Sequence, residues 1–203
     1  ATGRQVEQSI STRGSMSPRR RRHEPERVFD ETNVPGAVDL LSIWGTLNSP
    51  GREFRFEATA WRKFAEFSFA GSTERRLIGW GLLSLGFPTS QPREAANRWK
   101  LDAEAGSVSA DVLRLRDKRR GQSLVGLDPS GRVALLEQYS IEAVRAVSMS
   151  TPEGHMRTAL DNYLDTLMSV RPALDGHDVL ALGVPQGPRV GEVLQMLKNA
   201  CLD

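Results

Sequence analysis

Residues 170–203 read VRPALDGHDVLALGVPQGPRVGEVLQMLKNACLD, and the punctuation of this stretch predicts two helices joined by a tight connection. Asp175 is placed to cap a short helix through Val179 to Leu182, with Asp178 as the acid three positions on. Gly183 closes that helix. Pro185, Gly187 and Pro188 stiffen the link, and Gly187-Pro188 opens the final helix, because proline at a first helical position gives up only an N–H that has no partner there. Val190, Val193, Leu194 and Leu197 then recur along one helical face. Backbone N–H groups at the start of that helix, together with its dipole, favour an anion. Gly187 and the neighbouring Arg189 are therefore candidate phosphate contacts. A plain close-packed hairpin would use the same residues, and spacing alone leaves both readings open.

The same helix grammar extends upstream. Val38, Leu40, Leu41, Ile43, Trp44 and Leu47 form an apolar stretch ended by Asn48-Ser49-Pro50-Gly51. Trp61, Phe64 and Phe67 are spaced by three, which keeps them on one helical face. Ser72 is expected to cap a helix holding Leu77, Ile78, Trp80, Leu82 and Leu83, and Ser90 with Pro92 opens another through Trp99. Ser109 is expected to cap a segment with Val112, Leu113 and Leu115. Asp128-Pro129, Ser140 and Thr151-Pro152 each read as a helix start. Strand signal is scarce, no Asn-Gly or Asp-Gly hairpin joins two β-rich runs, and no internal repeat of fixed period occurs. The expected class is all-α: a multi-helix body and tail with a basic extended N-terminal arm. The divisions fall at 1–27 for the arm, 28–127 for the body and 128–203 for the tail. Trp61, Trp80 and Trp99 are assigned to the core rather than to base stacking, because their neighbours are apolar at helical spacing.

The 203 residues are 39% hydrophobic and 26% charged, ordinary for a chain with a real core. The net charge of +2 conceals a local cluster, Arg19, Arg20, Arg21 and Arg22, the electrostatic footprint of a polyanion partner. A second run, Arg114, Arg116, Lys118, Arg119 and Arg120, ends at Gly121. Some of these cations suit the dipole of a helix C-terminus; five are more than capping needs, so the run is also a candidate phosphate-facing patch. The sequence starts at Ala1, and residues 1–22 hold Arg, Ser and Thr with Glu7 as the sole acid. That composition is what lies at or just past an organellar transit peptide, or at the edge of an excised piece. The expected compartment is mitochondrial, with plastid or cytoplasm as alternatives. No apolar run is long enough for a membrane span. Cys201 is the single cysteine, so no internal disulfide is expected.

No motif for catalysis emerges. Walker-type and Rossmann glycine patterns and a nucleophile elbow are lacking. The carboxylate groups Asp30-Glu31 and Asp102 with Glu104 read as solvated faces, and Asp175 with Asp178 as a cap. His23, His155 and His177 stand without partners at metal-ligand spacing. No catalytic residue, metal ligand or cofactor is expected.

The order Pro172, Leu174, Gly176, Asp178, Leu182-Gly183, Pro185, Gly187-Pro188, Gly191, Leu194, Leu197, Ala200 and Leu202-Asp203 resembles the tail of bacterial-type tRNA nucleotidyltransferases (CCA-adding enzymes) and poly(A) polymerases. The similarity extends back through Leu136-Glu137, Ser140, Glu142-Ala143, Met156-Arg157, Leu160, Tyr163-Leu164 and Val170-Arg171, and so covers Pro129 to Asp203. Leu85-Gly86-Phe87-Pro88 to Leu127 fits the family's helical body more loosely. The resemblance implies a helical body and tail that grip tRNA. It places nucleotidyl transfer in an N-terminal head with a Gly-Gly-x-x-Arg-Asp loop and paired metal-binding aspartates, neither of which stands in this sequence. The expectation is a non-catalytic RNA-binding structural subunit of a large ribonucleoprotein, foremost an organellar ribosome, with rRNA and neighbouring proteins as partners. The alternative is the tRNA-binding body and tail of a CCA-adding enzyme or poly(A) polymerase whose head is elsewhere; a third reading is a helical protein–protein adaptor.

Overall fold

The computed structural model describes residues 25–48, 53–87, 92–121 and 124–203. Arg19 to Arg22, and most of the expected arm, lie outside these residues. After a helical turn at 25–29 come α1 (Val34–Ile43), α2 (Ala58–Glu66), α3 (Ser72–Gly86), α4 (Pro92–Trp99) and α5 (Ala103–Gly121). Then follow α6 (Pro129–Leu136), α7 (Ile141–Ser150), α8 (His155–Asp165), α9 (Gly176–Ala181) and α10 (Pro188–Leu202). Single 3₁₀ turns at Leu124–Gly126 and Leu167–Ser169 complete the order. There is no strand among the described residues, and the fold is all-α.

Helix α3 is apolar nearly all round, the pattern of a helix enclosed by others. It packs on α5 and α7, which also pack on each other. Small residues set their spacing. A Cβ added at Gly81 of α3 would fall 2.9 Å from the Ala146 Cβ of α7 and 3.2 Å from a Val112 methyl of α5. Three helices therefore meet at a point where only a hydrogen fits. At Gly79 an added Cβ would sit 2.8 Å from the Phe29 ring. Phe29 in turn meets Trp61, Phe64 and Trp80 at ring separations of 6.2, 6.1 and 5.8 Å. Trp61, Trp80 and Trp99 are all buried, as the sequence leads one to expect. Trp44 is not: it follows the end of α1 and is 57% exposed.

Ser72, expected as a cap, is instead the first residue of α3 behind Gly71, and two further expected caps serve another purpose for tertiary reasons. Ser109 does not cap a helix; α5 begins at Ala103, where the Asp102 carboxylate accepts from the Ala105 N–H at 2.9 Å. Ser109 instead lies buried in mid-helix opposite Ser84 of α3. Ser84 donates to the Trp80 carbonyl at 2.8 Å and its hydroxyl shares a second bond of 2.9 Å with that of Ser109. Two buried hydroxyls thereby satisfy each other. Thr151 closes α7 rather than opening α8: its hydroxyl donates to the Val147 carbonyl at 2.6 Å, and α8 starts after Gly154. Asp128 does cap α6, accepting from the Gly131 N–H at 2.7 Å. Ser140 occupies the N-cap position of α7 without capping through its own side chain. The buried Asp111 of α5 accepts from the Ser140 N–H at 2.9 Å, tying the start of α7 to α5.

One hydrophobic core contains residues from both sides of Asp128, running from Phe29 through α3, α5, α7 and α8 to Leu202. The expected junction between body and tail is thus a helix start inside a continuous core.

Replacing Gly81 with alanine is expected to lower thermal stability despite alanine's advantage of about 1 kcal/mol in helices. Overpacking of a tight core costs roughly 1–3 kcal/mol, which outweighs that gain. Adding Ala146→Gly should relieve the collision, so a double-mutant cycle read by thermal melts should give a favourable coupling of roughly 1–2 kcal/mol. Additivity would mean that this contact does not set the helix spacing.

Candidate nucleic-acid interface

The C-terminal hairpin forms as its sequence directs. The Asp175 carboxylate accepts from the N–H groups of His177 (2.8 Å) and Asp178 (3.0 Å), and the Asp178 carboxylate accepts from the Asp175 N–H (2.9 Å). This reciprocal capping box starts α9 at Gly176, three residues before the expected helix. Gly183 turns the chain at φ +89°. Gly187 adopts φ +146°, a conformation that L side chains rarely take, and Pro188 follows at the first position of α10. No side chain caps α10. Arg189 is exposed and makes no ion pair among the described residues.

Helices α9 and α10 pack on each other, and α10 packs on α6. Three ties join the hairpin to the body. Leu202 is buried in the core, Lys198 binds Glu137 at 2.8 Å, and the Asp203 carboxylate accepts from the Ser130 N–H at 2.9 Å. Leu182 and Met196 are 73% and 70% exposed, so the hairpin shows apolar as well as polar surface.

The second candidate cluster lies along α5. Arg114 is well exposed but binds the buried Asp111 carboxylate, the same group that holds the Ser140 N–H. Arg116 is mostly buried, its side chain 14% exposed, and it pairs with Asp117 at 3.2 Å. The backbone of Lys118, Arg119 and Arg120 continues the helix; their side chains lie outside the described residues. Tyr139 is held above its ordinary value by burial; the nearby Arg114 opposes this and Asp111 adds to it. Burial also raises Tyr163, with Glu137 adding to the effect.

Elsewhere on the body, arginines serve the fold. Arg76 binds Asp102 and Glu104, each at 2.9 Å, and lies 3.8 Å from Glu26. Asp102 and Glu104, expected as a solvated face, are thus the two carboxylates that hold this guanidinium. Arg75 lies against the Phe64 and Phe69 rings and donates to the Phe29 carbonyl at 2.6 Å. Arg145 covers Phe67 at 4.6 Å, with Glu74 at 3.6 Å. A cavity of about 260 Å³ beside Phe29 and Ser72 is lined by two arginines, Arg27 and Arg76, and by Glu26 and Asp30, and the charge of Arg76 is already matched by its carboxylates. Among the described residues, no three His, Cys, Asp or Glu side chains gather as a metal site requires, and no helix is long and apolar enough to cross a membrane.

A second cavity, which sequence reading did not find, is bordered by Arg132 and His155. No motif marks it, because its residues come from three separate elements. Comparison with protein-family models, curated proteins and solved structures finds no match for the chain.

Hydrogen bonds from the Asp178 N–H and then the His177 N–H hold the Asp175 carboxyl below the ordinary carboxylate range. A group depressed by folding contributes stability above its unfolded value and loses it as pH falls through its folded one. The hairpin should therefore loosen in acid, below the ordinary aspartate range, seen as loss of α9 amide protection in NMR. Asp175→Asn, which still caps, should leave α9 formed and remove the part of this pH dependence owed to Asp175.

Proposed function

We propose that the chain is a non-catalytic RNA-binding structural subunit of a large ribonucleoprotein, with an organellar ribosome as the assembly its N-terminal composition suits best. The observation that carries this reading is the partition of charge. Residues 1–27 hold seven arginines against three glutamates; the whole chain is net +2, so residues 28–203 are net −2. Within the body, Arg75, Arg76, Arg145 and Arg157 are matched with their own aromatic rings or carboxylates. The net positive charge of the chain therefore stands in one sequence segment, residues 1–27.

Such an arrangement suits a chain whose basic segment follows phosphates without reading bases while the body packs among neighbours. Exposed Arg189 adds a cation on the hairpin, and Arg114, paired with Asp111, stands exposed on the body. The sequence resemblance of the hairpin, with its Gly187-Pro188 turn and adjacent Arg189, supports a second reading. In it the same surface binds tRNA for a catalytic head carried elsewhere.

The test is RNA affinity as a function of salt for the full chain and for a variant with Arg19, Arg20, Arg21 and Arg22 all replaced by alanine. Four lost phosphate contacts should flatten the salt dependence by about 3 in log–log slope on single-stranded RNA. The helical circular dichroism should stay unchanged. Equal affinity and equal slope for the two proteins would remove the basic segment from the interface.

A further inference from the structure

The cavity bordered by Arg132 has a volume of about 300 Å³ and is lined by Val125, Arg132, His155, Thr158, Ala159 and Asn162. Four of these, at 155, 158, 159 and 162, share one face of α8. Val125 comes from the 3₁₀ turn Leu124–Gly126 and is an exposed apolar residue. Arg132 reaches in from α6.

The chemistry of this lining differs from that of the rest of the body. Arg132 donates through Nε to the Leu127 carbonyl at 3.0 Å, which fixes the plane of its guanidinium. Its terminal nitrogens make no ion pair among the described residues, in contrast to Arg76, Arg145 and Arg157. No carboxylate lines the cavity. An exposed imidazole, His155, stands at the first position of α8, whose N-terminus has no side-chain cap. Asn162 is exposed, and its amide offers both a donor and an acceptor. Val125 and Ala159 supply apolar surface beside these groups.

A guanidinium already held at Nε presents its remaining N–H groups as a preset fork, the geometry that fits a phosphate. An acid-free cleft within a net negative body selects an anion there. The apolar surface beside the fork suits a sugar or base face, and the amide suits a base edge. We propose that this cleft binds one nucleotide of an RNA strand, with its phosphate at Arg132 and His155 and its base toward Val125 and Asn162. The assignment rests on the RNA-binding reading above and adds to it a contact on the folded body.

The test uses the full chain. Uridine monophosphate and inorganic phosphate are titrated separately while backbone and imidazole NMR signals are followed. A labelled single-stranded oligouridylate is then bound by the parent, Arg132→Gln and Asn162→Ala proteins at several salt concentrations. Uridine monophosphate should shift Val125, His155 and Asn162. Arg132→Gln should abolish those shifts, weaken oligonucleotide binding about tenfold and lower the salt slope by about one. Asn162→Ala, at an exposed position, should weaken binding several-fold with the slope unchanged. Oligonucleotide binding that is equal in the parent and both variants, without shifts at the cleft, overturns this site and leaves RNA binding intact. A parent protein that binds no oligonucleotide overturns both readings. Shifts equal for phosphate and uridine monophosphate, with Asn162→Ala silent, overturn the nucleotide site in favour of a plain anion site. Displacement of uridine monophosphate by an acidic peptide but not by the oligonucleotide overturns it in favour of a protein ligand.

Discussion

Three helices converge at Gly81, and the rest of the molecule is arranged around that convergence. With no Cβ at Gly81, α3 approaches Ala146 of α7 and Val112 of α5 closely enough to bury every residue from Leu77 to Ser84. Once α3 is enclosed, its remaining sides must be covered too. Phe29 lies against the backbone at Gly79, and Phe54 lies against Gly86, where the Arg55 N–H donates to the Gly86 carbonyl at 2.8 Å. Small residues in one helix thus dictate where the aromatic residues of the N-terminal half are seated. Larger side chains at these positions would separate the layers and lose dispersion contacts throughout the core.

Charge in this chain has two uses, and only structure separates them. Arg75 is clamped between rings and a carbonyl, Arg76 between carboxylates, and Arg157 lies between Glu153 and Asp161 at 3.3 and 2.9 Å. These are partly exposed ties whose individual contributions are modest, but they fix the direction in which neighbouring elements leave the core. Arg132 is different, because its anchor is a backbone carbonyl and its charge is left for another partner. In sequence both kinds read as an arginine among apolar residues.

Legibility followed the range of the interaction. Asp128, Asp175 and the Gly187-Pro188 turn could be read directly, since each acts on the backbone within three residues. The tryptophans at 61, 80 and 99 were legible from apolar spacing. Ser109 and Thr151 look like caps because serine and threonine favour those positions, yet Ser109 answers a hydroxyl 25 residues away and Thr151 answers the preceding turn. Asp111, which fixes the start of α7 from 29 residues away, carries no local signature. The Arg132 cleft is hidden for the same reason: its wall residues are neighbours only after α6, α8 and the 3₁₀ turn before α6 have packed. The hairpin's candidate residues were visible because they all belong to one turn.

The hairpin's place at the C-terminal end of the core also bears on how the molecule can open. Its ties to the body include Leu202, the Lys198–Glu137 pair and the Asp203 carboxylate on Ser130, while the helices around Gly81 lie within the core. Peripheral helices in general open more readily than helices at the centre of a core, because fewer buried contacts are lost. A hairpin placed at the edge of the core is where the chain can adapt its seat to a neighbour at least cost to the packing around Gly81.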